Sequence, residues 1–378
     1  RFGARTVFHR RFLTAVLTLP DGFSLDVATA RREYYPEPGS LPVVEPASIG
    51  DDLVRRDFTV NALAFSLDSG IFGNLLDVAC GLEDLKGGII RVFHGMSMYD
   101  DPTRAFRAAR FSGRYGFRIE RETEGLIRSA VTSGLISLLS GERLLRELKL
   151  ILEEERPEDA LWILQRYGLL AAIHPSLRFG RDEGHVFREV RKVQKKLGRQ
   201  ERPQAGGVGM VILTRDMKAS AREELARRLG LPGVWREWVE EGARLFQETL
   251  PRLVTSHLRE EARARVFDLL RPYRHLEPLI AGAAASKGVK RKNLLRYLTR
   301  WRYVRPLLTG DDLKELGLRP GPVYQKVLDG LLRARLEGKV KTRRDETKWV
   351  KYIYKSLSPG SFNSPEGRVR GIDALGVF

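Results

Sequence analysis

Two clusters that combine acids with arginines lie within one stretch of the chain, residues 51–115. The first is Arg55-Arg56-Asp57 and the second is Asp100-Asp101-Pro102-Thr103-Arg104, and each is predicted to start a helix. Arginine forks bind phosphate oxygens through paired hydrogen bonds, and the unpaired N–H groups of a helix start favour an anion. This pattern predicts a site for a phosphate-bearing ligand.

The first cluster also has a purely structural interpretation. In that interpretation, Asp57 is the N-cap of a predicted helix from Phe58 to Ala64 and has no further role, and Arg55 and Arg56 are surface charges. In the functional interpretation, Arg56 contacts a triphosphate at the helix start. The pattern alone favours neither interpretation.

Four arginines repeat along the second predicted helix at spacings of three, three and four residues. At about 100° per residue they share one face about 120° wide, and the opposite face is small or apolar and predicts close packing. Like charges on one face repel each other unless anions or acids meet them, which favours a binding role over a solvated stripe. The arginines are Arg104, Arg107, Arg110 and Arg114, and the opposite face holds Ala105, Phe106, Ala109 and Gly113.

Short strands are predicted to position these clusters. Residues 13–19 and 23–29 alternate as strands do and are joined by Pro20-Asp21-Gly22, which predicts a hairpin. Asp26 lies on the face of the second strand away from its apolar residues, either as a solvent-facing acid or as a functional carboxylate. Residues 34–50 are rich in proline and are predicted to form a loop. Between the two clusters the pattern is strand, turn, strand, short helix, strand.

From about residue 118 the apolar pattern is almost entirely helical. Residues 286–305 carry eight basic residues and no acid, interleaved with three aromatic residues. Basic and aromatic side chains together are typical of a surface for single-stranded or stem RNA. The alternative is a basic face on a core helix whose aromatic rings turn inward, because its leucines need a core. The basic residues predicted to bind RNA are Lys290, Arg291, Lys292, Arg296 and Arg300.

Composition limits the classes of partner. The 378 residues carry 66 lysines and arginines against 48 acids, a net charge of +18 that predicts a polyanion as partner. The single cysteine excludes an internal disulfide and a multi-cysteine zinc site, and it fits a cytoplasmic location. The apolar runs are too short for a membrane span, so no membrane partner is expected.

RRDFTVNALA, followed about forty residues later by DDPTRAFRAARF, resembles the class II tRNA nucleotidyltransferase and poly(A) polymerase family. The segments LDVATARREYYPEPGSLPVVEP, GERLLREL and TGDDLKELGLRPGPVYQKVL are similar to the same family, and the arrangement is most similar to its bacterial A-adding members. The resemblance implies an enzyme that adds AMP, or CMP and AMP, to the 3′ end of tRNA without a nucleic-acid template. Its partners would be the tRNA 3′ end and ATP, with CTP in the second case.

The resemblance also implies roles for individual residues. In the family an acid and an arginine read the base edge, neighbouring arginines contact the nucleotide, and a strand carboxylate lies beside the metal site. The base-reading pair matches Asp101 and Arg104, the nucleotide contacts match Arg55, Arg56, Asp57, Asn61, Arg107 and Arg110, and the metal carboxylate matches Asp26.

The family's phosphoryl transfer uses two Mg²⁺ ions held by acids. Two of those acids form a DxD pair after a GG-x-VRD motif, and neither motif occurs in this chain. The chain starts with Arg1 and not with Met, so we expect that its natural N-terminus is missing. We also expect that absent residues complete the metal site and that this chain alone is inactive. The alternatives are an RNA-binding family relic without catalysis and a poly(A) polymerase.

The predicted fold class is α+β, with a partial nucleotidyltransferase head followed by a mostly helical remainder. The head holds a small mixed sheet with helices, and a helical neck carries the nucleotide-selecting helix. The predicted parts are the head (1–92), the neck (93–150), a helical body (151–310), a helical tail (311–357) and a flexible C-terminus (358–378).

Overall fold

The computed structural model describes residues 3–9, 13–37, 39–40, 42–197, 203–253, 262–318 and 320–357. These residues form two compact units. The first contains the described residues of Arg1–Arg188 and Ala205–Val239, and the second those of Glu189–Gln204 and Glu240–Phe378. The finer division into head, neck, body and tail stays a prediction, and its last part, 358–378, lies outside the described residues.

The strands lie in the first unit and form four small sheets. The first sheet is antiparallel, in the order β1 (Arg5–His9), β2 (Thr14–Thr18), β3 (Ser24–Ala28). Two antiparallel pairs follow, β4 (Arg31–Tyr34) with β5 (Val43–Pro46) and β6 (Leu63–Phe65) with β7 (Leu75–Asp77). The parallel pair is β8 (Ile89–Ile90) with β9 (Arg118–Ile119).

The hairpin predicted around Pro20-Asp21-Gly22 is confirmed. Gly22 adopts a φ of 87°, and the Asp21 carboxylate accepts a 2.9 Å hydrogen bond from the Phe23 N–H. The prediction that residues 34–50 form only a loop is wrong, because β5 pairs with β4. Val43 and Val44 favour a strand, and Pro46 ends an edge strand, where its missing N–H is tolerated.

The helix predicted from Phe58 to Ala64 is also wrong. Helix α1 (Ile49–Val54) precedes the first cluster. It starts at a capping box formed by Ser48 and Asp51, and Arg55 is its C-cap. The chain then makes a single 3₁₀ turn over Thr59–Asn61 and enters β6. Arg55-Arg56-Asp57 therefore follows a helix end, so Arg56 does not lie at a helix start and Asp57 does not cap an α-helix.

Helices follow the first strands of the chain. After α1 they are α2 (Gly81–Gly87), α3 (Ser97–Asp100), α4 (Thr103–Tyr115), α5 (Arg121–Thr132), α6 (Leu135–Leu138), α7 (Gly141–Leu152), α8 (Pro157–Arg166), α9 (Leu169–Ile173), α10 (Arg181–Gln194), α11 (Ala205–Thr214), α12 (Ala219–Leu229) and α13 (Gly233–Arg244). Most of them belong to the first unit, whereas α10 and α13 contain residues of both units. The predicted order of strand, turn, strand, short helix, strand between the clusters is confirmed by β6, β7, α2 and β8.

Helix α4 packs its small face closely against α8. Ala105, Phe106 and Ala109 are fully buried. Gly113 approaches α8 so closely that a Cβ atom would lie 2.6 Å from the Ala160 nitrogen. The predicted close packing is confirmed. Because closely packed protein interiors are hard to compress, this contact fixes the position of the opposite face of α4.

The second unit is helical. A π-helical turn (Leu245–Thr249) leads into α14 (Leu250–Arg252), α15 (Ala262–Leu270), α16 (Leu276–Ala285), α17 (Gly288–Thr299), α18 (Gly310–Glu315), α19 (Pro322–Leu336) and α20 (Arg343–Leu357). One of its buried clusters is formed by Leu308, Leu313, Leu318, Val327, Leu331 and Val350. The α+β class, with small N-terminal sheets followed by helices, is confirmed. Across the described ranges, every helix is too short or too polar to cross a membrane.

Candidate functional site

The two predicted clusters meet at one polar pocket of about 480 Å³ in the first unit. The loop after α1, the turn before β6 and the start of α4 contribute most of its wall. Seven of the eight residues predicted to bind nucleotide line it, and Arg110 does not. The lining residues are Glu33, Tyr35, Arg55, Arg56, Asp57, Asn61, Asp101, Arg104 and Arg107.

Arg55 and Arg56 differ in how strongly they are paired with carboxylates. Arg55 donates 3.0 and 2.8 Å hydrogen bonds to Asp52 Oδ1 and a 2.7 Å bond to Glu33 Oε1. Arg56 reaches Asp52 Oδ2 at 3.2 Å and keeps 42% of its side chain exposed. Burial raises the pKa of Asp52, but its hydrogen bonds with Arg55 and Arg56 bring it below the usual range. Arg56 is therefore more available to a ligand than Arg55.

Asp57 joins the loop after α1 to helix α4. Its Oδ1 accepts a 2.9 Å hydrogen bond from Asn61 Nδ2, and its Oδ2 accepts a 2.7 Å bond from Arg107 Nε. Burial lowers the pKa of Arg107, but the Asp57 carboxylate raises it above the usual value. Asp57 thus pairs with Arg107 and fixes the positions of the Arg107 and Asn61 side chains in the pocket wall.

Asp101 uses one carboxylate oxygen for structure. Its Oδ1 accepts bonds of 3.0 and 2.6 Å from the Thr103 N–H and hydroxyl, and a 2.7 Å bond from Arg143 Nη2. The other amino group of Arg143 donates to the Gly39 carbonyl at 2.7 Å. These bonds fix the carboxylate, while its Oδ2 has no hydrogen-bond donor among the residues that the structure describes.

Arg104 is the most buried arginine of the pocket, with 5% of its surface exposed. Its Nη2 donates to the Arg55 carbonyl at 3.0 Å. Its Nη1 is buried and has no hydrogen-bond partner within the described part of the chain. An unsatisfied buried donor on a charged group is costly, so this atom indicates a ligand acceptor inside the pocket.

The C-terminal arginines of the stripe, Arg110 and Arg114, contact other side chains of the protein. Glu154 Oε1 lies 3.6 Å from Arg110 and 3.7 Å from Arg114, and the Arg110 guanidinium lies 4.8 Å from the Phe111 ring centre. Buried Glu147 lies near the same stripe. Burial raises the pKa of Glu147, although Arg107 and Arg110 oppose the shift. Acids therefore meet the stripe, and a nucleotide contact by Arg110 stays a prediction.

Two residues that line the pocket, and one residue that holds Asp101, were not singled out from the sequence. Glu33 and Tyr35 lie in the family-like segment around β4, where the Tyr35 hydroxyl donates to Glu33 at 3.1 Å and burial raises the pKa of Tyr35. Arg143 lies in the family-like segment GERLLREL. Arg143 and Asp101 are 42 residues apart in the sequence, so the spacing of residues along a single helix or strand cannot predict their contact.

Asp26 does not join this pocket. It lies on β3 with Val16 as its register partner, and all five residues of that strand are exposed. Across the described ranges, no group of three or more His, Cys, Asp or Glu side chains could hold a metal ion. The described residues therefore do not fit the two-metal site that the resemblance implies, and the metal role of Asp26 stays a prediction.

The basic stretch 286–305 divides into exposed and engaged side chains. Arg291 pairs with Glu189, and Lys192 and Arg291 lower the pKa of Glu189 to about 2. Lys290 is half-buried, as is Arg291. The rings of Tyr297 and Trp301 are buried, as the alternative of a core helix expects, whereas Tyr303 is exposed. Of the five residues predicted to bind RNA, three are exposed, and they lie four residues apart on α17 and at its end, namely Lys292, Arg296 and Arg300. RNA binding by this face stays a prediction.

Two family models match the chain. One is described as the poly A polymerase head domain and matches residues 3–91, and the other is described as the probable RNA and SrmB-binding site of polymerase A and matches residues 116–179. The chain is 39% identical to an A-adding tRNA nucleotidyltransferase of Geobacter sulfurreducens, over 92% of this chain but only 40% of that protein.

Two further relatives are matched over most of their length. A CC-adding tRNA nucleotidyltransferase of Deinococcus radiodurans is 32% identical, over 91% of this chain and 77% of that protein. The solved Thermotoga maritima CCA-adding enzyme complexed with tRNA superposes with a TM-score of 0.72 at 27% identity, covering 93% of this chain and 82% of that one.

Proposed function

Because the chain belongs to the tRNA nucleotidyltransferase family, we propose that it selects the nucleotide and binds the RNA in an enzyme that adds AMP, or CMP and AMP, to the tRNA 3′ end without a template. The observation that carries this proposal is the buried Nη1 of Arg104, which lies in the same pocket as Asp101 and has no hydrogen-bond partner among the described residues. The names of the relatives do not favour the alternatives of a poly(A) polymerase or a catalytically inert relic.

The two side chains match the pairing edges of adenine and cytosine. Each of these bases presents an amino donor beside a ring-nitrogen acceptor, whereas guanine and uracil present a carbonyl acceptor beside an N–H donor. Asp101 offers an acceptor oxygen and Arg104 offers an N–H donor, so the pair complements adenine and cytosine. Guanine or uracil would place acceptor against acceptor and donor against donor. ATP, and CTP in a CCA-adding enzyme, are therefore the proposed substrates.

The remaining arginines of the pocket suit the phosphates. Arg56 keeps an exposed guanidinium. Arg107 lines the same pocket, and its Nε and Nη2 are paired with Asp57. Guanidinium groups bind phosphate oxygens through charge-assisted hydrogen bonds, so Arg56 is the main proposed phosphate ligand and Arg107 adds positive charge beside it. Arg55 is held by two carboxylates, and its carbonyl accepts from Arg104, so we assign it the positioning of the base-reading arginine.

Proteins of this family generally use a divalent metal, and Mg²⁺ is the ion we propose. When bound, it would stabilise the charge of the reacting phosphates. Asp26 is the carboxylate that the family pattern assigns to it, but the described residues bring no further ligands to that position. A cytoplasmic location, expected from the single cysteine, is part of the same proposal.

Nucleotide binding by the chain tests this function without requiring turnover. Residues 1–378 are titrated separately with ATP, CTP, GTP and UTP in a calorimeter. We expect ATP, or both ATP and CTP, to bind about tenfold or more tightly than GTP and UTP, since a bidentate base contact discriminates by roughly 1–3 kcal/mol. Equal affinity for all four nucleotides would contradict the proposed selection, and binding of ATP without CTP would favour the A-adding activity.

The exposed face of α17 gives a second expected result. Replacing Lys292, Arg296 and Arg300 with glutamine should weaken tRNA binding and reduce the slope of log affinity against log salt, by about 0.7–0.9 for each phosphate that the variant no longer neutralises. The affinity for ATP should stay unchanged. The control is a triple glutamine variant of Lys218, Arg227 and Arg236, basic side chains of the first unit outside both family-model segments. If both triple variants have the same salt slope between 50 and 200 mM, α17 does not contact RNA.

A further inference from the structure

A second pocket, of about 490 Å³, lies entirely within the second unit. Helices α15, α17 and α19 and the segment after α17 surround it. Its floor is apolar and includes the ring of Tyr297, which is 5% exposed. Its polar groups include three arginines, Arg271, Arg302 and Arg305. The volume falls in the range of small-ligand sites, and the arginines indicate an anion.

The positive charge of this pocket is only partly balanced. Arg271 donates a 3.1 Å hydrogen bond to Asp329, which lines the same pocket. Arg305 Nη1 donates to the carbonyls of Arg302 and Val304, both at 2.8 Å. These bonds fix its guanidinium against the backbone that immediately precedes it. Among the described residues, neither Arg302 nor Arg305 has an acid partner. The Arg302 guanidinium lies 5.4 Å from the ring centre of Tyr303, a contact that leaves its charge without a counter-ion. Two guanidinium charges of the pocket are therefore not neutralised by an acid of the described residues.

Arg302 supplies the sharpest indication of that ligand. Its Nη1 is buried and has no hydrogen-bond partner across the described part of the chain. Burial raises the pKa of the Tyr297 phenol, and Arg302, Arg271 and Arg305 oppose the shift, which is consistent with three guanidinium groups close to one hydroxyl. A buried cationic donor without an acceptor is costly unless an anion oxygen meets it.

We propose that this pocket binds a phosphate group, with Arg302 donating from inside the pocket and Arg305 adding charge at its rim. The inference rests on the proposed function in taking a phosphodiester of bound RNA as the first source of that group. Free phosphate has the same chemistry and is the second source. Nucleotide selection in the first unit does not require this pocket.

The test uses two variants of the full chain. Arg302→Gln removes the buried donor and its charge, and Gln325→Glu adds a negative charge at an exposed lining position with little change in packing. The control is Arg252→Gln, an exposed arginine of α14 in the same unit. Each protein is titrated with tRNA between 50 and 200 mM salt and separately with inorganic phosphate, and its fold is checked by circular dichroism.

We expect both pocket variants to bind tRNA about tenfold more weakly at low salt, because a charge-assisted hydrogen bond is removed or opposed. The log–log salt slope should fall by about 0.7–0.9, and the control should match the wild type. Weakened binding of inorganic phosphate with unchanged tRNA binding would support the pocket and assign it to free phosphate. If Gln325→Glu is folded and binds both ligands like the wild type, the proposal is overturned.

These outcomes are separable from failure of the proposed function. If the wild-type chain binds no tRNA, the proposed function loses its RNA-binding part, and the inorganic phosphate titration still decides the pocket. If the wild type binds tRNA and neither variant differs from it with either ligand, the proposed function stands and the phosphate pocket does not.

Discussion

Replacing Arg104 with glutamine is expected to lower the affinity for ATP about tenfold or more and to reduce the preference for ATP over GTP toward equality. The loss follows from the buried Nη1, the donor proposed for the ring nitrogen of the base. Each good bidentate contact to a base contributes roughly 1–3 kcal/mol of discrimination. The measurement is calorimetric titration of the variant with ATP, CTP, GTP and UTP.

Two companion variants separate base reading from general loss of charge. Arg114→Gln removes an arginine from the same helix, where the side chain is half exposed and lies near Glu154, so it should leave all four affinities unchanged. Asp101→Asn replaces one carboxylate oxygen by an amide donor. If Oδ1 keeps its bonds to Thr103 and Arg143, that donor replaces Oδ2 and should favour the carbonyl of guanine or uracil. An unchanged ratio of ATP to GTP affinity in both Arg104→Gln and Asp101→Asn would exclude base reading by this pair.

The sequence predicted the chemistry of this pocket better than the backbone that carries it. Helix α4 followed from Pro102 and its small face, which are local signals, and its packing through Gly113 agrees. The acids predicted to start it lie just before it, with Asp100 at the end of α3 and Asp101 as the C-cap of α3. The helix predicted after Asp57 did not form, because β6 pairs with β7 and Asp57 is engaged by Arg107, 50 residues away. Tertiary contacts of this kind override local propensity.

Contacts between distant segments also explain the groups that were missed. Arg143 reaches Asp101 from α7, and Glu33 reaches Arg55 from β4 across 22 residues. Local spacing along one helix or strand cannot bring such pairs together. The same limit applies to Arg302. The pattern of residues 286–305 indicates a basic surface, but it cannot show that one guanidinium nitrogen is buried and lacks a partner in the described part of the chain.

Replacing Glu346 with alanine is expected to destabilise the second unit by about 3–5 kcal/mol. Glu346 has no exposed surface, and its carboxylate accepts from the Leu307 and Leu308 N–H groups, both through Oε2, at 2.8 and 2.9 Å. Arg335 Nη1 donates to the same side chain at 2.7 Å. Removing one partner of a buried ion pair leaves the other charge uncompensated, and here two backbone donors also lose their acceptor.

The measurement is urea unfolding followed by circular dichroism, together with amide hydrogen exchange at Leu307 and Leu308. Glu315→Ala is the control, because this exposed acid of α18 should change the free energy of unfolding by no more than about 0.5 kcal/mol. Glu346→Gln keeps the shape and one acceptor oxygen, so it should lose less stability than alanine. Equal stability of the alanine variant and the wild type would mean that water or another group replaces the carboxylate.

The same carboxylate connects the stability of the second unit to its phosphate pocket. Leu308 lines that pocket and follows Arg302 and Arg305 in one short segment, which Glu346 anchors to helix α20. Loss of the anchor should free this segment, so the buried donor of Arg302 would no longer be held in place. Under conditions where Glu346→Ala remains folded, tRNA binding should therefore weaken in the same direction as in Arg302→Gln, while ATP selectivity in the first unit stays unchanged. A folded Glu346→Ala variant with wild-type tRNA affinity would show that the segment keeps its position without the anchor.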